Sequence, residues 1–326
     1  MPPKQLDLDG IPKKQFCYTK DDDKLTQMAK FVVERHMVYL RRKKGVDRKQ
    51  WTEDYAIGTF RFCNIYRQLD TVSLWIWKNV IQPNSGNPNL PVLVALARLI
   101  NWPPTIQFLM DRGVWPEKKF NQDKFYRALA EYKERGNKVV TGAYIVNTVY
   151  PKDFDVRDPS KIGYITDIAA HDLWNNRAML NDNGHSTMQN FVEALRSLHG
   201  WGSFMSYQVV VDLSYSKKWL FNAPDKNTFN SPGPGTVRGL NRYFTGSRKP
   251  TIPKKELNDR IIQQHDELNA RVKKLVKNKW GDSFAKGFAP IEMSNVSNCN
   301  CEFDKHQRIF YGEGDMKNIY KPQGTK

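Results

Sequence analysis

The sequence predicts a mainly helical, all-α protein, and three observations carry that reading. Apolar residues recur at helical spacing along most of the 326 residues. No long alternating strand pattern and no internal repeat appears. A short Gly200–Trp201–Gly202 turn joins two helix-compatible runs, "STMQNFVEALRSLHG" and "SFMSYQVVVDL", as a helix–hairpin–helix.

The elements follow in order. Residues 1–20, rich in Pro, Lys and Asp, predict an irregular arm. "DDDKLTQMAKFVVERHMVYLRRKKG" opens on acids and closes on bases and glycine, which suits the helix dipole and a C-cap. Leu25, Met28, Val32, His36 and Leu40 fall on or beside one face, so His36 is expected as a packed core histidine. A second helical block spans about 54–82 and contains "RFCNIYRQLD". "QPNSGNPNLP" is a loop, and "VLVALARLINW" is a helix stopped by Pro103 and Pro104. "NQDKFYRALAEYKERG" is an amphipathic helix, whereas "TGAYIVNTVY" leaves strand and helix both open.

"PKDFDVRDPSK" reads as a linker and divides the chain into lobes 21–155 and 156–326. Beyond it, Ser186 or Thr187 caps the helix that ends at Gly200. "TVRGLNRYF" starts a further helix, and "PKKELNDRIIQQHDELNARVKKLVKNKWG" is a long charged surface helix. The tail "NVSNCNCEFDKHQRIFYGEGDMKNIYKP" reads as irregular and polar.

Composition narrows the function. Lys and Arg number 51 against 34 Asp and Glu, a net charge of +17 that favours polyanionic partners, nucleic acid first. The four cysteines include a lone C-x-C pair, Cys299 and Cys301, without the second pair that a structural zinc site needs, so no metal is expected. The opening "MPPKQLDLDG" has no apolar core, and no apolar run reaches membrane-spanning length. The expected setting is cytoplasmic, with reduced thiols and no membrane partner. The phosphate-loop, G-x-S-x-G, H-E-x-x-H and zinc-deaminase signatures all fail to occur, which disfavours those enzyme classes.

Four clusters carry candidate chemistry. Gly200, Trp201 and Gly202 would bring backbone N–H groups against a DNA phosphate, with Ser203 capping the following helix and Gln208 farther along it. Arg196, Lys217 and Lys218 flank that hairpin; an ordinary turn between helices is the alternative. In "RFCNIYRQLD", Asn64, Arg67 and Asp70 lie at i, i+3 and i+6 of the expected helix, beside Arg61. Asn reads base edges, Arg clamps phosphate and Asp accepts protons, although an Arg–Asp pair on a solvated face has the same spacing. "SPGPGTVRGLNRYF" sets Gly233 and Gly235 at a helix start with Arg238 and Arg242 behind, as an anion site, a duplex wedge or a stiff connection. Glu302, Asp304, Lys305, His306 and Arg308 form a charge run, which usually means a solvated face, with Phe303 and Ile309–Phe310 docking part of it.

"RFCNIYRQLD", "GWGSFMSYQVVVDL", "GPGTVRGLN" and "NCNCEFDKHQR" occur in this order, and together they resemble the α-glutamyl/putrescinyl-thymine pyrophosphorylases, also called amino-acid:DNA transferases, of phages and prokaryotes. The same helical domain accompanies 5-hydroxymethyl-deoxyuridine DNA kinases. The resemblance covers roughly residues 25–321 and implies a relation to helix–hairpin–helix DNA glycosylases, hence a two-lobed glycosylase-like architecture. It implies a DNA-base hypermodification enzyme that flips a 5-substituted pyrimidine out of double-stranded DNA. A phosphorylated 5-hydroxymethyl group is exchanged there for a small amine or amino acid, with no resident cofactor, and a 5-hydroxymethyl-deoxyuridine DNA kinase acts upstream. On that reading Asn64 reads the pyrimidine edge, Arg67 and Lys305 hold the leaving phosphate, and Asp70 or Asp212 accepts the proton. The rival reading is a DNA glycosylase that excises a hydroxymethylated or glycosylated pyrimidine in antiphage defence. Gly233 stands where such an enzyme carries its aspartate, which counts against it. A non-catalytic reader of modified DNA is the third reading.

Overall fold

The computed structural model describes residues 15–141, 146, 148–249, 251–314 and 319–320. The described residues are mainly helical, and their only β feature is an isolated bridge between Phe60 and Ile319. In chain order the helices are α1 (Lys24–Lys43), α2 (Tyr55–Thr59), α3 (Thr71–Ile76), α4 (Leu90–Ile100), α5 (Pro103–Asp111) and α6 (Gln122–Glu134). Then come α7 (Lys161–Gly163), which runs on as a π-helical stretch Tyr164–Ala170, α8 (His171–Asn175), α9 (Arg177–Asn183), α10 (Met188–Arg196) and α11 (Ser203–Leu213). The last are α12 (Pro234–Thr245), α13 (Leu257–Trp280), α14 (Asp282–Gly287) and α15 (Met293–Phe310).

The chain forms two compact units, but not those expected from the linker. One unit is the continuous segment Thr71–Ser231; the other combines residues up to Asp70 with those from Pro232 onward. A cut at 155/156 would run through the core of the first unit, where Leu93, Leu96 and Phe125 pack with Ile165, Leu173 and Val210. All residues of α4 are buried. In the second unit α1 and α13 supply Phe31, Val32, Leu40, Leu268 and Val272 to a core completed by Val296, Cys299 and Phe303 of α15. Its parts therefore come from opposite ends of the sequence.

Several elements form as their residues dictate. Asp23 caps α1, accepting the Thr26 N–H at 2.8 Å, and Arg41, Arg42 and Lys43 occupy its last turn. Thr187 caps α10 through the Asn190 N–H at 3.0 Å. His36 is buried against Tyr39, Tyr66 and Phe288, as a packed core histidine should be. Burial, then Arg35, pushes its pKa down to about 3, so it stays neutral.

Four expectations are corrected. Pro103 and Pro104 begin α5 rather than only ending α4. Asn101 closes α4 in the left-handed region (φ 47°), and Trp102 is extended before the prolines. Residues 54–82 are not one helix. After α2 the chain runs through an irregular stretch to a 3₁₀ turn at Arg67–Leu69, and helix resumes at α3. The polar tail is helical over α15, because its polar groups find partners inside the unit: Asn300 with Gln264, Gln307 with Gln27, and Asp304 with Arg242. Residues 15–20 of the expected arm are irregular, yet Phe16 and Tyr18 are buried; residues 1–14 lie outside the described residues. Residues 142–145 and 147 of "TGAYIVNTVY" also lie outside them.

Candidate functional site

The loop Arg61–Asp70 is shaped by its own side chains. Asp70 accepts the Asn64 N–H at 2.8 Å, and the Asn64 amide donates to the Leu69 carbonyl at 3.0 Å, which closes the loop onto itself. Arg35 of α1 reaches the Phe62 carbonyl at 2.8 Å and Asn64 Oδ1 at 3.2 Å. From α15, Asn295 accepts the Arg67 N–H at 2.8 Å, Asn298 donates to the Asn64 carbonyl at 3.2 Å, and Glu302 accepts the Cys63 N–H at 3.0 Å. Lys305 lies one turn on and pairs with Glu302 at 2.5 Å.

The electrostatics single out Asp70. Burial raises its carboxyl to about 6; Glu302 adds to the rise, while the Asn64 N–H, Arg35 and Arg67 oppose it. An acid poised near neutrality can exchange protons in either direction. Lys305 feels the opposite balance. Burial works against its charge, but Glu302, Cys63 and Cys301 together outweigh that and hold its pKa above that of an ordinary lysine. Glu302 also holds the Cys63 thiol up, so that sulfur stays protonated. The cluster therefore pairs a titratable acid with a permanent cation.

Asn64, Arg67, Asp70 and Lys305 thus meet in one place, though not as a helical face. The Asn64 side chain is committed to Arg35 and Leu69, so it shapes the loop and does not face outward to read a base. Arg61 points to the surface and Arg67 is buried. Asp212 is elsewhere, in the first unit. It is 1% exposed and pairs with Arg98 through Nε and, at 2.8 Å, through Nη2. Arg98 also reaches Ser73 and Asn101. Asp212 is part of the core, not a proton acceptor for a ligand.

The hairpin forms as expected, with different roles for its residues. Gly200 has φ +79°, and a Cβ there would sit 1.8 Å from the Tyr164 hydroxyl, so the turn requires glycine. Trp201 is 6% exposed and packs into the first unit's core rather than reaching outward. Gly202, not Ser203, is the N-cap of α11, and no side chain caps that helix. Gly202 and Ser203 are exposed, beside Phe204 at 40% exposure, and Gln208 is half-buried. Arg196, Lys217 and Lys218 are exposed.

Gly233 caps α12 without a side-chain bond, and Gly235 lies against Cys301, whose sulfur a Cβ would approach to 2.5 Å. Arg238 stays partly exposed and bonds Asp304 at 3.1 Å. Arg242 is 1% exposed, engaged by Asp304 at 2.7 Å and by Glu313, and so is not available to a DNA phosphate. The expected solvated charge run is likewise corrected: Glu302, Asp304 and His306 are buried, with His306 2.8 Å from Asp54 and bonded to Tyr18. Glu302 and Arg35 are the cluster members that sequence reasoning did not assign. The signal for Glu302 was its place in the stripe Asn295, Cys299, Glu302, Phe303, His306, which keeps helical spacing.

These features define a mainly helical protein whose second unit carries a half-buried acid–lysine cluster built from a closed loop and one long helix. The chain belongs to the family described as "5-hmdU DNA kinase, helical domain", which matches residues 23–315. It is 27% identical over 230 residues to the 5-hmdU DNA kinase of Bacillus phage SP10, across 65% of this chain and 35% of that protein. The chain therefore spans about a third of the length of that relative. No solved structure matches it.

Proposed function

We propose that this chain modifies 5-substituted pyrimidines in DNA, exchanging a phosphorylated 5-hydroxymethyl group for an amine. The observation that carries the proposal is Glu302 standing between Asp70, raised to about 6, and the cationic Lys305, in a chain of the family described as the helical domain of 5-hmdU DNA kinase. The amine nitrogen forms a bond to the C5 methylene carbon, and the carbon–oxygen bond breaks. The phosphate leaves with the electron pair, and the amine proton passes to Asp70. Lys305 and Arg67 are the cations for the leaving phosphate. Asn64 positions Asp70 through its backbone N–H and a loop locked by its amide. The exposed, uncapped start of α11 behind Gly202 and Ser203 is the element that takes a backbone phosphate of double-stranded DNA. A kinase acting on 5-hydroxymethyl-deoxyuridine supplies the phosphorylated base.

Nucleoside mass spectrometry of DNA incubated with the protein tests this. The DNA panel carries thymine, hydroxymethyl-uracil and its phosphorylated forms, each with and without amines. A heavier nucleoside that requires both the phosphorylated base and the amine supports the transferase. Release of a free base, with alkali-labile DNA, would replace it with a glycosylase, and unchanged nucleosides throughout would leave only a binding role.

A further inference from the structure

Four arginines converge on one buried carboxylate in the second unit. Asp304, 1% exposed, has Arg242 Nε at 2.7 Å, Arg238 Nε at 3.1 Å, Arg248 Nε at 3.7 Å and Arg308 Nε at 3.9 Å. Glu313 adds a second carboxylate, spent on Arg242. Four guanidiniums against two carboxylates leave an excess of two positive charges in one place. A carboxylate offers about four lone-pair sites, while each guanidinium brings five donors. The demand exceeds the supply.

The arginines also divide into two kinds. Arg242 is enclosed and fully engaged, so it anchors Asp304. Arg238 donates to Asp304 through Nε, Arg248 and Arg308 approach it with Nε nearest, and the Nη groups of all three make no hydrogen bond to any described residue. Arg308 Nε is itself buried without a hydrogen-bond partner. Arg238 and Arg248 keep about two fifths of their side chains open to solvent. Asp304 thus gathers three guanidiniums around one carboxylate, with their Nη donors unspent. Guanidinium forks match the oxygens of a phosphate. The site lies beside the acid–lysine cluster, because Cys301 feels both Glu302 with Lys305 and Arg238 with Asp304.

We infer that Arg238, Arg248 and Arg308, organised by Asp304, form a phosphate-binding site of the second unit. Its ligand is a phosphate group, either a DNA backbone phosphodiester or the phosphate that the amine displaces from the base. The inference deepens the DNA-modifying reading and rests on it for the choice between these two sources.

The test uses the full chain with R248Q, R308Q and the double variant, and K118Q/K119Q as an exposed charge-matched control. Arg248 makes one long contact and is exposed, so its loss leaves the fold intact, which a melting curve checks. One arm measures anisotropy of a labelled unmodified duplex across salt concentrations. The other titrates inorganic phosphate and pyrophosphate by calorimetry. If the site holds the backbone, the double variant binds duplex about tenfold more weakly and its salt slope falls by about two, while the control stays near wild type. If it holds the leaving group, phosphate or pyrophosphate binding is lost and duplex affinity is kept. Variants that match wild type in both arms, or a control that falls as far as the double variant, overturn the inference. Absence of any modified nucleoside alongside arginine-dependent binding would sink the proposed reaction and leave this site standing.

Discussion

Asp70 and Asp212 are both aspartates near arginines, and their surroundings give them opposite duties. Asp212 has a bidentate guanidinium partner in a closed core, so Asp212→Ala strands Arg98 and should cost about 3–5 kcal/mol. A large drop in melting temperature, with residual turnover tracking only the folded fraction, is the expected result. Asp70 is the reverse case. Its pKa is raised from 3.8 to about 6, so the folded state holds the proton more tightly than the unfolded chain. That contribution, up to about 3 kcal/mol, is full below the unfolded value and is lost as pH rises through 6. Asp70→Asn keeps an oxygen for the Asn64 N–H and removes the charge. It should melt higher than wild type at pH 8, match it near pH 4, and lose turnover. Wild-type turnover should rise with pH through about 6 as the carboxylate becomes able to take a proton. A lower melting temperature of the variant at pH 8 would show instead that the carboxylate is stabilised in place.

The hairpin between α10 and α11 is shaped at the element scale by Gly200. Its positive φ and the Tyr164 hydroxyl both forbid a side chain, so Gly200→Ala should destabilise the first unit by about 1–3 kcal/mol and weaken duplex binding. Gly202→Ala, where nothing lies within 4 Å, should change stability by less than about 1 kcal/mol, and thermal melts of the two variants separate these outcomes. This hairpin was legible because glycine spacing states a backbone requirement directly. So were α1, α6 and α13, whose apolar residues keep a helical period between polar ones. The loop Arg61–Asp70 was not, because Phe62, Ile65, Tyr66 and Leu69 suit a helical face equally well. What decides the loop is the Asn64–Asp70 and Asn64–Leu69 bonds, with Asn295 and Asn298 arriving from more than two hundred residues away. Nor was α15, since hydropathy scores Asn300, Glu302, Asp304 and Gln307 as surface, although each is buried with a partner. The residue types of the candidate site were readable; the geometry that joins them was held by long-range polar bonds.

At the scale of the whole molecule, the two units differ in how the chain supplies them. The first is one continuous stretch, Thr71–Ser231, with a core spanning Ile76 to Ala223 and the hairpin on it. The second draws on both ends of the sequence, because α1 and α15 pack into one core. A fragment of residues 71–231 should therefore fold alone, with helical circular dichroism and a cooperative thermal transition. A fragment of residues 232–326 alone should not. The separation also divides the binding charge. The full chain, at +17, should lose duplex affinity steeply with salt, the slope counting the phosphates neutralised at about 0.9 per contact. If the uncapped α11 start and the arginines around Asp304 each hold a backbone phosphate, fragment 71–231 keeps hairpin-dependent binding with a shallower slope. The difference between the two slopes then counts the phosphates held by the second unit. Equal slopes would place all backbone contacts on the first unit and leave the arginine site to the departing phosphate.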